Sequence, residues 1–190
     1  VDTCVGCRKL RRNLPDSVAS VNVTDNFNRQ AECDLMFHKK HTIFHMIDRA
    51  IRWHAAMIVN LENAKEHTGK DADTLRKAID KLWGHHGSMQ ELICDGEGGL
   101  ARSFKNFDYF DRNGITLKPL AVGQHPRIID RLAALLRHTF NKMERQLRSE
   151  GLTIPDEYIL SEAVFAGNAI VSVNNTTPYN AVYGRVPHLL

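Results

Sequence analysis

The first third of the chain is built from short apolar runs and the rest from longer stripes at helical spacing. Residues 31–37 (AECDLMF), 42–47 (TIFHMI) and 53–59 (WHAAMIV) each have the length and bounds of a strand. Asp48-Arg49-Ala50 predicts a turn between the second and third. From 71 to 85 the period changes. Leu75, Ile79 and Leu82 recur at helical spacing, Asp71 or Asp73 can cap the start, and Gly84 and Gly87 end the helix. Residues 90–95 (QELICD) predict a fourth strand and 96–99 a turn. A helix over 100–112 carries Leu100, Phe104, Phe107 and Phe110 or Asp111 in step, and 115–122 reads as a fifth strand. After a loop over 123–126 a long helix begins at Pro126, where a missing N–H costs little. Its stripe is Ile129, Leu132, Leu136, Phe140, Met143 and Leu147, and Gly151 ends it. A last helix is predicted over 156–173, then a loop over 174–178 and a short element over 179–183.

The order β-β-β-α-β-α-β-α-α predicts an α/β fold. Three consecutive strands suit an antiparallel meander, and the later strands alternate with helices as in parallel crossovers. The expectation is a mixed five-stranded sheet with helices on both faces. Three segments are expected: 1–30 as the remnant of a small module plus a linker, 31–173 as the core, and 174–190 as a C-terminal extension.

Composition narrows the class. At 43% hydrophobic and 25% charged residues, the 190-residue chain is too apolar to be disordered. No apolar run approaches the roughly 20 residues of a membrane helix, so no membrane partner is expected. The start, Val1-Asp2-Thr3-Cys4, has neither Met nor a signal peptide and reads as a fragment that is not secreted. Four cysteines are too few for a disulfide scaffold. The net charge of +3 is mild, so its placement matters more than its sum.

Three acids hold suggestive places. Asp34 lies inside the first strand, Asp95 ends the fourth, and Asp130 stands in the first turns of the long helix. An acid in an apolar strand is costly unless paired or bound to a cation. If the two strands are neighbours, their carboxylates meet at one edge of the sheet. Three convergent carboxylates suit Mg²⁺ or Mn²⁺, and two such ions about 3.5–4 Å apart serve phosphoryl transfer. The alternative is that these are solvated strand-end and helix-cap acids. Glu97 competes for the third place.

The motifs also carry a resemblance. Ile47-Asp48-Arg49-Ala50-Ile51-Arg52-Trp53 resembles the hairpin segment after the first catalytic strand of retroviral and long-terminal-repeat retrotransposon integrases. Leu92-Ile93-Cys94-Asp95-Gly96-Glu97 resembles their second acidic motif. Gln124-His125-Pro126 with Ile129-Asp130-Arg131 resembles their third, where Glu-Arg is usual. Residues 176–187 (TTPYNAVYGRVP) resemble the segment after the core. The match spans about 28–188, and the four motifs stand in the family's order. The departures are Asp130 in place of the usual Glu, Asp-Gly-Glu in place of Asp-Asn-Gly, and no β-rich module after the core.

The resemblance implies an RNase H-like integrase core, and it implies catalytic and metal-binding roles for Asp34, Asp95 and Asp130, holding two Mg²⁺ or Mn²⁺ ions. It implies trimming of element DNA 3′ ends and their transfer to target DNA by in-line attack, with endonuclease activity. Element-end DNA and target DNA would be the partners, in a homo-oligomer of at least two copies. The location implied is the nucleus or a virus-like particle of a eukaryotic host. A second reading is a catalytically weak relic that binds DNA or assembles without cutting. A nuclease for RNA–DNA hybrids is a third, disfavoured by the Pro-Tyr-Asn-Ala-Val-Tyr-Gly-Arg segment.

Cys4-x-x-Cys7 is a zinc half-site. In the resemblance these cysteines match the last two ligands of a His-His-Cys-Cys module, so Zn²⁺ is expected only in the full-length module. Strand alternation points Cys33 and Cys94 away from the neighbouring acids, as buried thiols. Most of the ten histidines read as surface or helix-end residues. His125, just before the long helix, is the one expected near the site, on a phosphate.

On the long helix Asp130, Ala134, Arg137, His138 and Asn141 share a face. Arg127, Arg131 and Arg137 flank the third carboxylate, as phosphate clamps would. Arg145 and Arg148 read as solvated, with Glu144 and Arg148 paired at i, i+4. The basic run at 8–12 either adds nonspecific DNA affinity or solvates a linker.

Overall fold

The structure is a computed structural model and describes residues 26–61, 69–96, 100, 104, 108–121, 124, 126–173 and 175–188. The half-site Cys4 and Cys7, the basic run at 8–12, Glu97 and His125 lie outside the described residues.

The strands are β1 (Gln30–His38), β2 (His41–Asp48), β3 (His54–Val59), β4 (Glu91–Cys94) and β5 (Thr116–Pro119). The helices are α1 (Gly69–Trp83), α2 (Asp108–Arg112), α3 (Arg127–Ser149), α4 (Asp156–Ile170) and α5 (Pro178–Tyr183). The sheet runs β3-β2-β1-β4-β5. The first three strands form the expected antiparallel meander, and β4 and β5 add in parallel beside β1. Short turns can join antiparallel neighbours, whereas a parallel neighbour requires a crossover; here α1 lies between β3 and β4.

Alternation along the strands sends side chains to two cores. Cys33, Phe44, Met46, Leu92 and Cys94 pack with Leu75, Ile79 and Trp83 of α1. Met36 and Ile43 pack with Ala133, Leu136 and Phe140 of α3 and Ile159, Leu160 and Ala163 of α4. Helices therefore cover both faces, and the sheet is buried between them. Two ion pairs bind the second layer to the β1–β2 hairpin: Lys39 to Glu144 of α3, and His41 Nε2 to Asp156 Oδ2 at 2.6 Å.

Several element ends differ from the sequence pattern. The fifth strand stops at Pro119 instead of 122, since Pro119 has no N–H and the strand is an exposed edge. The last helix stops at Ile170 instead of 173, and Val173 closes a bridge with Thr176. The final element is a helix, capped by Thr177 Oγ1 accepting from the Asn180 N–H and ended by Gly184 at φ 65°. His38, His45 and His54 are buried, because the second layer of helices closes over the β1–β3 meander. The thiols behave as expected: Cys33 and Cys94 are free and buried.

Candidate active site

The parallel pairing of β1 and β4 sets Cys33 opposite Cys94. The next step along both chains is Asp34 and Asp95, so the two acids stand side by side where β4 ends. Alternation places Asp34 on the face of Glu32 and Met36, under α3 and α4, and the thiols on the opposite face. Asp34 is half-buried, with Oδ1 accepting from the Leu35 N–H at 2.8 Å. Asp95 is half-buried too. Burial and the neighbouring Asp95 and Asp34 charges push the Cys94 thiol up to about 12.

Asp130 lies in the first turn of α3, exposed, directly after the buried Ile129. Among the described residues no three His, Cys, Asp or Glu side chains come close enough together to hold a metal ion. The β1–β4 register brings Asp34 and Asp95 onto neighbouring chain positions, and Asp130 stands at the start of the helix that covers the same face of the sheet.

A fourth acid, not singled out from sequence, links the two parts. Glu32 is two residues before Asp34 on the same face of β1 and only 3% exposed. Its Oε2 accepts the backbone N–H of Ile129 at 3.0 Å, and its Oε1 lies 3.1 Å from Arg49 Nε. Burial pushes its carboxyl up from the ordinary range, against the pull of the Ile129 N–H and Arg49; the Asp130 charge adds to the rise. The only sequence signal was its alternation with Asp34. Asp48 is also buried and supports the β2–β3 turn, accepting from the N–H groups of Asn28, Ala50 and Ile51 at 2.8–2.9 Å.

The outer face of α3 is as the spacing predicted. Arg127, Arg131 and Arg137 are exposed, His138 and Asn141 partly so, while Ile129, Ala133, Leu136 and Phe140 face the core. Arg148 pairs with Glu144 at 2.7 Å. An apolar groove lined by Met143, Leu147, Ile154 and Tyr158 lies at the other end of α3 from Asp130 and holds no chemistry of this kind.

The arrangement of sheet and helices matches known structures. The BIV integrase catalytic core domain superposes with a TM-score of 0.59 at 16% identity, over 81% of this chain and 93% of that one. A chain of the simian T-cell lymphotropic virus intasome, solved with the PP2A regulatory subunit B56 gamma, superposes with a TM-score of 0.65 at 14% identity. That match covers 98% of this chain and 67% of that one. The chain has the fold of an integrase catalytic core. No protein-family model matches the sequence, and no curated protein does. The integrase-core likeness is therefore carried by backbone arrangement, at identities where side chains have largely diverged. Within this integrase-core fold, Asp34 and Asp95 occupy adjacent strand positions and Asp130 the start of the long helix.

Proposed function

We propose that this chain is an integrase-type polynucleotidyl transferase core that trims DNA 3′ ends and joins them to target DNA. The observation that carries the reading is the side-by-side placement of Asp34 and Asp95 in an integrase-core fold. The donor set fits hard cations: carboxylate oxygens only, Asp34 within β1 and Asp95 just past the end of β4, with the softer Cys33 and Cys94 turned to the other face. Asp34, Asp95 and Asp130 would hold two Mg²⁺ or Mn²⁺ ions, which supply charge neutralisation and Lewis-acid activation in phosphoryl transfer.

The chain's own side chains account for the rest. Arg131 and Arg137, with Arg127, His138 and Asn141, bind DNA phosphates along α3 and fix the register of the strand. His125 is placed beside them by sequence. In the joining step a 3′-hydroxyl gives up its proton to solvent as its oxygen forms the new P–O bond, the P–O bond to the leaving 3′-oxygen breaks in line, and that oxygen takes up a proton from solvent. Neither described cysteine, Cys33 or Cys94, serves as nucleophile, because both thiols are buried and held protonated. The proposal extends to element and target DNA as partners, a homo-oligomer of at least two copies, and a nuclear or virus-like-particle setting.

A second reading, a DNA-binding relic, is favoured by one observation: among the described residues no three His, Cys, Asp or Glu side chains are grouped to hold a metal ion. Divalent-cation titration separates the two. The enzyme reading expects Mn²⁺ or Mg²⁺ to raise the thermal midpoint of the parent and not of Asp34→Asn. Equal midpoints with and without cation in both proteins would favour the relic. Comparing duplex DNA with an RNA–DNA hybrid as substrate tests the remaining nuclease reading.

A further inference from the structure

Helix α3 begins without a cap of its own. Its N-cap residue is Pro126, whose side chain has no acceptor, and no side-chain cap bond forms there. The first turn of any helix presents N–H groups without partners inside the helix. Here one of them, on Ile129, is taken by a carboxylate 97 positions away in sequence, Glu32 on β1, at 3.0 Å. The helix end and the acid are both buried at that point: Ile129 is fully buried and Glu32 nearly so. Negative charge at a helix N-terminus is also favoured by the helix dipole. The second oxygen of Glu32 lies 3.1 Å from the Arg49 guanidinium, which in turn donates to Gln30 Oε1 at 3.1 Å. Arg52 donates to the Arg49 carbonyl. Both oxygens of Glu32 are thus engaged, so it is a holder and not a free metal ligand.

We propose that Glu32 is the positioning residue of the candidate site, pinning the start of α3 to β1 and so setting how far the Asp130 carboxylate stands from Asp34 and Asp95. The residue after the pinned N–H is Asp130 itself, and the residue two places beyond Glu32 on the same face of β1 is Asp34. One hydrogen bond therefore ties together the two halves of the site. A short acid at position 130 needs such a tie more than a long one, because any outward slip of the helix is added to a side chain with less reach. This inference rests on the reading of Asp130 as part of a DNA-joining site.

The experiment uses the full chain and four variants: Glu32→Gln, Glu32→Met, Glu32→Met with Asp130→Glu, and Asp34→Asn as the inactive control. Two readouts are taken, Mn²⁺-dependent joining of a DNA end and amide-hydrogen exchange at Ile129. Glu32→Gln keeps an acceptor oxygen and is expected to retain joining within about threefold. Glu32→Met keeps the volume but not the acceptor. It should join at least tenfold more slowly at unchanged DNA affinity, with the Ile129 amide exchanging at least tenfold faster. Adding Asp130→Glu should recover most of the lost rate, because a longer acid regains the reach. A destabilised scaffold would not be rescued in this way. Parental joining by Glu32→Met, or no recovery with Asp130→Glu, overturns the positioning role. If the parent joins no DNA, the functional reading fails, and unchanged exchange at Ile129 then overturns the tie as well. Should Glu32→Met not fold, Glu32→Ala takes its place with the same expectations.

Discussion

The side chain of Asn168, on α4, holds the backbone of His54 at both its polar groups. Its Oδ1 accepts the His54 N–H at 3.0 Å and its Nδ2 donates to the His54 carbonyl at 2.8 Å. His54 opens β3, the edge strand of the sheet, so a helix side chain completes the pairing that no further strand provides. Next to it Gly167 lets the helix approach: a Cβ there would fall 2.3 Å from His54 Nε2.

Asn168→Ala strands a buried N–H and a buried carbonyl at once. The expected cost is about 2–4 kcal/mol, at one to a few kcal/mol per unsatisfied group. Urea unfolding should show a lower midpoint at unchanged slope. A change below about 0.5 kcal/mol would mean that water or a backbone shift restores both bonds.

The buried histidine pair predicts acid sensitivity. His45 Nε2 and His54 Nδ1 are 3.1 Å apart, and both rings are buried. Burial lowers His54 to about 4 and lowers His45 well below the ordinary value of 6.5, with the His54 charge adding to the effect on His45. Between 6.5 and the folded values the unfolded chain binds more protons, so stability falls as pH falls through that window. The slope is up to about 1.4 kcal/mol per pH unit for each histidine. Glu32 and Asp48 act in the opposite sense, since burial raises their carboxyls and the folded state takes up their protons first. Comparing the parent with His45→Leu isolates the histidine contribution: the variant should lose roughly one histidine's share of the slope between pH 6.5 and 5. Identical slopes would place the pair's protonation outside this range.

For the DNA face, Arg137→Ala should weaken binding to unrelated duplexes alike and lower the salt slope by about one unit, as loss of one phosphate contact does. Filter binding or fluorescence anisotropy between 50 and 200 mM salt measures it, and an unchanged slope would return Arg137 to a solvated surface.

The meander, the parallel additions and the long amphipathic helix were legible because each rests on a local period. In 31–37 the alternation already separated Cys33 from Asp34, and the structure keeps them on opposite faces. The features that were not legible depend on distant partners. Glu32 read as one more residue in a strand, and its partner Ile129 is on another layer. His45 and His54 fell inside apolar runs, but their pairing was not legible there, because it depends on the β2–β3 register and on the closure of α4 over the sheet. The side-by-side stance of Asp34 and Asp95 needed the β1–β4 register, which no local signal specifies. The distance of Asp130 from them depends on how α3 is seated, and a helix start is seated by its tertiary contacts.

The central claim is that Asp34 and Asp95, with Asp130, form a cation-dependent site for DNA end joining. The direct measurement is joining of a labelled DNA end to a target duplex under saturating Mn²⁺, by the parent, Asp34→Asn, Asp95→Asn, Asp130→Ala and Glu97→Gln. The account predicts joining by the parent and by Glu97→Gln, and none by the three aspartate variants. Asp34→Asn and Asp95→Asn should melt no lower than the parent without metal, because each substitution relieves carboxylate repulsion. Full activity in Asp34→Asn or Asp95→Asn would contradict the site itself. Joining by Asp130→Ala but not by Glu97→Gln would contradict the assignment of the third carboxylate.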